Sequence, residues 1–138
     1  MCPDIRNIGL KGLTMDPIVQ FYRETRDRFP TILAETDKVH LQTWDMDDEW
    51  AYMWFHSLAD MLNANMRKNA RLEDAGAVFD YMRDQFRIGC GEVRHCIDVA
   101  FVENLYWEVS PDRARPYWVR MPDLLKKLYL GFHSKPPC

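Results

Sequence analysis

The spacing of apolar residues between positions 50 and 107 limits the fold more than any other feature of this chain. Leu72, Ala75, Phe79, Met82 and Phe86 step by three and four, while Asp80, Arg83, Asp84 and Arg87 fall on the other side. A period of about 3.6 residues gives one apolar stripe of this kind, and the alternation of a strand does not. The spacing predicts an amphipathic helix, capped by Asn69 and closed by Gly89. Trp50, Trp54, Leu58, Met61, Leu62 and Asn65 track a second stripe, extending to about Arg67. Asp45 is placed to cap that helix, and the carboxylates of Asp47, Asp48 and Glu49 suit its positive end. From Glu92 to about Val109 the pattern changes. Ile97, Val99, Ala100, Phe101, Val102, Leu105, Tyr106 and Trp107 cover nearly the whole circumference, which predicts a central, buried helix.

Two further helices flank these. Asp16-Pro17 supplies a cap followed by proline at the first helical position, and the helix runs to about Arg28, before Pro30. Met121-Pro122 opens a last helix carrying Leu124, Leu125, Leu128 and Tyr129, ended by Gly131, after a loop rich in arginine and aromatic residues that begins at Ser110-Pro111. The stretch Thr31 to Trp44 reads both ways: Ile32, Leu33 and Ala34 suit a helical turn, while Val39, Leu41 and Thr43 alternate. The expected architecture is all-α, a compact bundle of about five helices with an irregular or strand-like segment near residues 37–44. Residues 1–14, with Pro3, Gly9 and Gly12, read as a loose leader, Met15 as an alternative start, and residues 15–138 as a single helical domain.

With 47% hydrophobic residues among 138, the chain has ample apolar area for one core. A net charge of −3 is the wrong sign for neutralising phosphates, so nucleic acid is not an expected partner. It suits a basic protein better, because opposite fields speed encounter. No run of eighteen apolar residues offers a membrane span. Four cysteines, Cys2, Cys90, Cys96 and Cys138, with no secretory leader, predict a cytoplasmic chain without a disulfide framework.

Catalytic chemistry finds little support. Glu92 and His95 share a Glu-x-x-His spacing of the kind that holds metals in helical bundles, Asp37 and His40 approximate it, and Glu49 or Glu103 could complete the set. Asp37 to His40, however, falls in the ambiguous segment, and His95 and Glu103 would sit about 12 Å apart along one helix. His56 and Asp60, spaced i and i+4, line a polar face with Glu49, Tyr52 and Asn63, as an oriented general base would, and as any solvated helix face would. There is no Gly-x-Ser-x-Gly, Cys-x-x-Cys or glycine-rich phosphate loop. No catalytic residue, metal or cofactor is therefore expected.

Two clusters stand out. Asp98, Glu103 and Asn104 fall in the helix expected to be most buried, where a carboxylate needs a cation such as Arg94, Arg113, Arg115 or Arg120. Trp44, Asp45, Asp47, Asp48, Glu49 and Trp50 set aromatic residues beside four acids, and tryptophan anchors ringed by charge make binding hot spots. Capping and core packing would explain the same letters.

The run Glu92-Val93-Arg94-His95-Cys96-Ile97-Asp98-Val99-Ala100-Phe101-Val102-Glu103-Asn104-Leu105, followed by Met121-Pro122 and Leu124 to Phe132, resembles small helical immunity proteins encoded beside bacterial polymorphic toxins. The resemblance covers the second half of the chain. It implies a non-catalytic protein that binds a cognate toxin in the producing cell and covers its active site, and it transfers no binding residues. A helical adaptor or regulatory module and a small metal-dependent bundle enzyme are the alternatives.

Overall fold

A computed structural model describes residues 16–138, so the expectations for the leader at 1–14, for Cys2 and for Met15 lie outside the described residues. Seven α-helices and no strand are found among them: α1 Pro17–Arg28, α2 Pro30–Leu41, α3 Ala51–Arg67, α4 Leu72–Ile88, α5 Gly91–His95, α6 Pro111–Arg120 and α7 Asp123–His133. The all-α expectation holds. None of these helices is long and apolar enough to cross a membrane.

The helices with clean stripes form where the spacing places them, except that α3 starts at Ala51, behind the 3-10 turn Asp48–Trp50, rather than after a cap at Asp45. Asp16 caps α1 by accepting from the Ile18 and Val19 N–H groups. Trp54, Leu58, Met61 and Leu62 of α3 are buried with Ala75, Phe79 and Met82 of α4. Asn69 has a different role from the expected cap of α4. At φ 56° it ends α3, with its own N–H donating to the Met66 carbonyl and that of Ala70 to Asn65, a left-handed termination that pairs the last carbonyls. The Tyr117 hydroxyl donates to the Ala70 carbonyl and fixes this corner against α6.

Three segments depart from the sequence reading. Residues 37–41 are helical, and the strand-like alternation of Val39, Leu41 and Thr43 has no counterpart. The buried face of α2 is Ile32, Thr36 and His40, a proper four-residue stripe with two polar members. Residues 111–120 form α6 rather than a loop, even though Pro116 lies inside it. Proline there forfeits one helical hydrogen bond, which the burial of Ala114 and Tyr117 and a two-bond ion pair from Arg120 to Asp80 offset.

The third departure matters most for the surface. The expected helix from 92 to 109 does not run straight. α5 gives way to a π-helical stretch, Cys96–Phe101, then a 3-10 turn, Val102–Asn104. The chain then turns through Tyr106 at φ 66° and Glu108 at φ 52°. Ala100, Phe101, Val102, Leu105 and Tyr106 along it are all buried. Widening and then tightening the coil turns consecutive side chains inward. The broken ladder is repaired by Asn104, whose amide donates to the Val99 and Ala100 carbonyls.

Cys96 and Cys138 are free thiols. Cys90 is disulfide-bonded, so the expectation of a chain without structural disulfides does not hold at that residue.

Candidate functional site

After Leu41 the chain turns back on itself before entering α3. Gln42, Thr43 and Trp44 donate their N–H groups to the Val39 and His40 carbonyls, and the 3-10 turn Asp48–Trp50 leads into the helix. His40 holds this elbow from inside. It is 1% exposed, with Nε2 donating to the Asp45 carbonyl at 2.9 Å and Nδ1 accepting from the Ser57 hydroxyl on α3 at 3.0 Å. The carbonyl acceptor dictates which nitrogen carries the proton. Burial pushes the pKa of His40 below its ordinary value, against the pull of the Asp45 carbonyl and of Asp37.

All six residues singled out in the sequence lie on this elbow. Trp44 and Trp50 come together, ring centroids 4.7 Å apart and tilted by 37°, and both are half-buried. Asp45, Asp47, Asp48 and Glu49 are exposed around them. Capping does not account for the acids. Asp45 contributes its carbonyl rather than its carboxylate, Asp47 makes no side-chain cap bond, and the residue at the N-cap of α3 is Trp50. Core packing does not account for Trp50 either. Asp48 pairs with Arg23 of α1. Asp45, Asp47 and Glu49 have no cation in ion-pair range among the described residues. Beside them a hollow of about 340 Å³ is lined by Asp16, Ile18, Val19, Asp48, Glu49, Ala51 and Tyr52.

A second polar region lies along α3. His56 Nδ1 stands 3.1 Å from Asp60 Oδ2. Burial raises the pKa of the Asp60 carboxyl, while His56 and Arg67 pull it the other way. Tyr52 stacks near His95, at 6.3 Å, and burial, with the negative charges of Glu103 and Asp98, raises the pKa of its phenol. Asn63, expected on this polar face, is instead buried: its amide donates to the Asn104 carbonyl at 2.8 Å and accepts the Tyr106 N–H at 2.7 Å. His56, Asp60, Arg67, Asn104 and Trp107 line a cleft of about 540 Å³. Trp107, expected in the core, is 66% exposed. Sequence reasoning missed Arg67 and Trp107 as neighbours because only the break at residues 102–108 brings them together.

The metal motifs come apart. Asp37 accepts from Arg26 and from the Trp54 indole, His40 is committed to the elbow, and His95 faces Tyr52. Among the described residues no three His, Cys, Asp or Glu side chains converge to hold a metal ion.

The expected ion pair within the 92–109 segment does not form either. Asp98 and Glu103 are only half-buried. Arg94 donates to the Phe86 and Arg87 carbonyls, Arg115 pairs with Asp112, and Arg120 pairs with Asp80. Asp98→Ala and Glu103→Ala are each expected to change stability by less than about 1 kcal/mol, where a buried, paired carboxylate would cost about 1–3 kcal/mol. Urea denaturation reads the difference, and a larger loss would mean that the carboxylate is paired with a cation in the folded protein.

Residues 22–135 match the model of a family described as "Domain of unknown function (DUF7674)". No curated protein and no solved structure matches the chain.

Proposed function

The chain belongs to the DUF7674 family, whose match spans most of its length, and we propose that it is a non-catalytic protein-binding domain of the immunity type, which neutralises a basic toxin in the cytoplasm of the producing cell by covering its active site. The observation that carries this reading is the elbow at residues 44–50. Two half-buried tryptophans in ring contact are surrounded by exposed carboxylates that neither capping nor core packing uses. A ring pair of this kind supplies a rigid apolar anchor with little side-chain entropy left to lose, and the surrounding acids select a partner of opposite field. The elbow is also preorganised. His40 and the Arg23–Asp48 pair hold its backbone to α3 and α1 before any partner arrives.

The test is co-expression with the toxin domain encoded by the adjacent gene, followed by a binding titration. The protein is expected to restore growth and bind the toxin directly. Asp47→Lys combined with Glu49→Lys should weaken the complex by at least about tenfold, mostly through slower association at low salt, without unfolding the domain. Unchanged affinity would reject the elbow as the contact surface. An adjacent gene with no toxin domain, or no complex, would reject the immunity reading.

A further inference from the structure

The cleft between α3 and the 105–108 turn carries one full charge of each sign, and neither is paired with the other. Arg67 donates from Nε to the Glu108 carbonyl at 3.0 Å and from Nη2 to the Trp107 carbonyl. A guanidinium has five N–H groups, so three remain, and the positive charge with them. Asp60 has His56, and not Arg67, in ion-pair range: its Oδ2 meets His56 Nδ1 at 3.1 Å, and its other oxygen stays uncommitted. Residues 60 and 67 lie two turns apart on one face of α3, which sets the two charges along a single wall. Asn104 spends its amide hydrogens on the Val99 and Ala100 carbonyls and keeps its oxygen. The unspent capacity is therefore of both kinds, donor at Arg67 and acceptor at Asp60 and Asn104, and the two formal charges balance.

An anion alone would satisfy Arg67 and meet the Asp60 carboxylate, and a cation alone would satisfy Asp60 and meet Arg67. Each also leaves one charged side chain of the cleft unserved. A zwitterion answers both. Its carboxylate accepts from the remaining Arg67 N–H groups, a charge-assisted pairing. Its ammonium has three hydrogens for the open oxygens of Asp60 and Asn104 and for His56 Nε2, which accepts while Nδ1 donates to Asp60. Trp107 adds apolar surface beside the charges. It is 66% exposed, and it sits between two non-glycine residues in the left-handed region, Tyr106 at φ 66° and Glu108 at φ 52°. Strained backbone of this kind persists only where surrounding bonds hold it, and it clusters at ligand clamps. The Arg67 bonds to the 107 and 108 carbonyls do the holding, and the group put on display is an indole.

We propose that the cleft lined by His56, Asp60, Arg67, Asn104 and Trp107 binds a free amino acid with an apolar side chain, its carboxylate on Arg67, its ammonium on Asp60 and its side chain against Trp107. The site shares no residue with the elbow and does not depend on the toxin-binding reading. A segment inside a partner protein carries neither terminal charge, so the cleft is a small-molecule site and not an extension of the elbow's contact surface.

The probe is L-phenylalanine, titrated into the full chain and followed by two-dimensional NMR. Beside it run phenethylamine, which lacks the carboxylate, and 3-phenylpropionate, which lacks the ammonium. Phenylalanine is expected to give saturable shifts at the Trp107 indole and the Asn104 side-chain amide, with a dissociation constant on the order of millimolar, and each one-charge probe to bind at least about tenfold more weakly. Asp60→Asn removes the partner of the ammonium and leaves Arg67 unopposed, so phenylalanine and 3-phenylpropionate should then bind within about threefold of each other, a change of selectivity that a merely structural role would not produce. Because Trp107 is exposed and its removal leaves the core intact, Trp107→Ala should abolish saturation in a folded protein. Asp47→Lys with Glu49→Lys should leave binding unchanged. The absence of saturable shifts, shifts that map away from the cleft, or a one-charge probe that binds the wild type as tightly as phenylalanine would each overturn the proposal. A chain that binds phenylalanine as described but no toxin would sustain the cleft and remove the protein-binding reading, and one that binds toxin but not phenylalanine would do the reverse.

Discussion

Replacing Asn63 with leucine is expected to cost about 2–4 kcal/mol of stability, a large effect for a change that preserves side-chain volume. Asn63 is completely buried and serves two backbone groups that nothing else among the described residues serves: the Asn104 carbonyl and the Tyr106 N–H. Both belong to the stretch where the helical ladder fails, between the 3-10 turn and the left-handed Tyr106. Leucine fills the space without creating a cavity, so the loss measures two stranded polar groups rather than missing contacts. Urea denaturation with an unchanged m-value would read it, and the Tyr106 amide should lose its protection in hydrogen exchange. The turn that carries Trp107 should loosen at the same time. Stability within about 0.5 kcal/mol of the wild type would mean that water or a shifted backbone replaces both bonds, and that the break is not held by Asn63.

The same break shows where sequence could and could not be read. α3 and α4 were legible because each has one apolar stripe and an opposite polar side, and a straight helix satisfies both. The stretch from 92 to 109 is apolar all round, a pattern that says only that everything is buried. It does not show where the coil widens at Cys96–Phe101 and tightens at Val102–Asn104. α2 was obscured because Thr36 and His40 occupy two of its three inward positions, and α6 because Pro116 and three arginines outweigh the single strong anchor, Tyr117. The two surface regions divide in the same way. The elbow's six residues are contiguous, so their clustering needed no tertiary knowledge. The cleft draws on positions 56, 60, 67, 104 and 107, which meet only because the chain reverses after Asn104. Asn104 itself was visible as a polar residue in an apolar run, and its explanation is a backbone repair rather than a buried ion pair.

His40→Leu is expected to destabilise the domain by about 2–3 kcal/mol near neutral pH, to release the elbow, and to flatten part of the acid dependence of stability. Leucine leaves the Asp45 carbonyl without the imidazole N–H and frees the 42–47 turn from α3. The pH dependence follows from burial. His40 has a folded pKa below the ordinary value of about 6.5, so the folded protein holds fewer protons on it than the unfolded chain does. Its contribution is therefore complete above the unfolded value and is lost as the pH falls through the folded one. No hydrogen bond need break on protonation, because Ser57 can turn its hydroxyl to the Met53 carbonyl, 3.3 Å away, and accept from Nδ1 instead. The cost is the charge itself, opposed by burial and by Arg26 and eased by Asp37 and Asp45. Wild type and variant compared by urea denaturation from about pH 8 to about pH 5 should differ most at the alkaline end and converge with acid, which separates His40 from the other histidines common to both. A difference that stays constant across the range would show that His40 does not titrate differently on folding. If the elbow is the contact surface, the variant should also lose toxin affinity while remaining folded at neutral pH, because Trp44 and Trp50 would then have to be ordered on binding rather than before it.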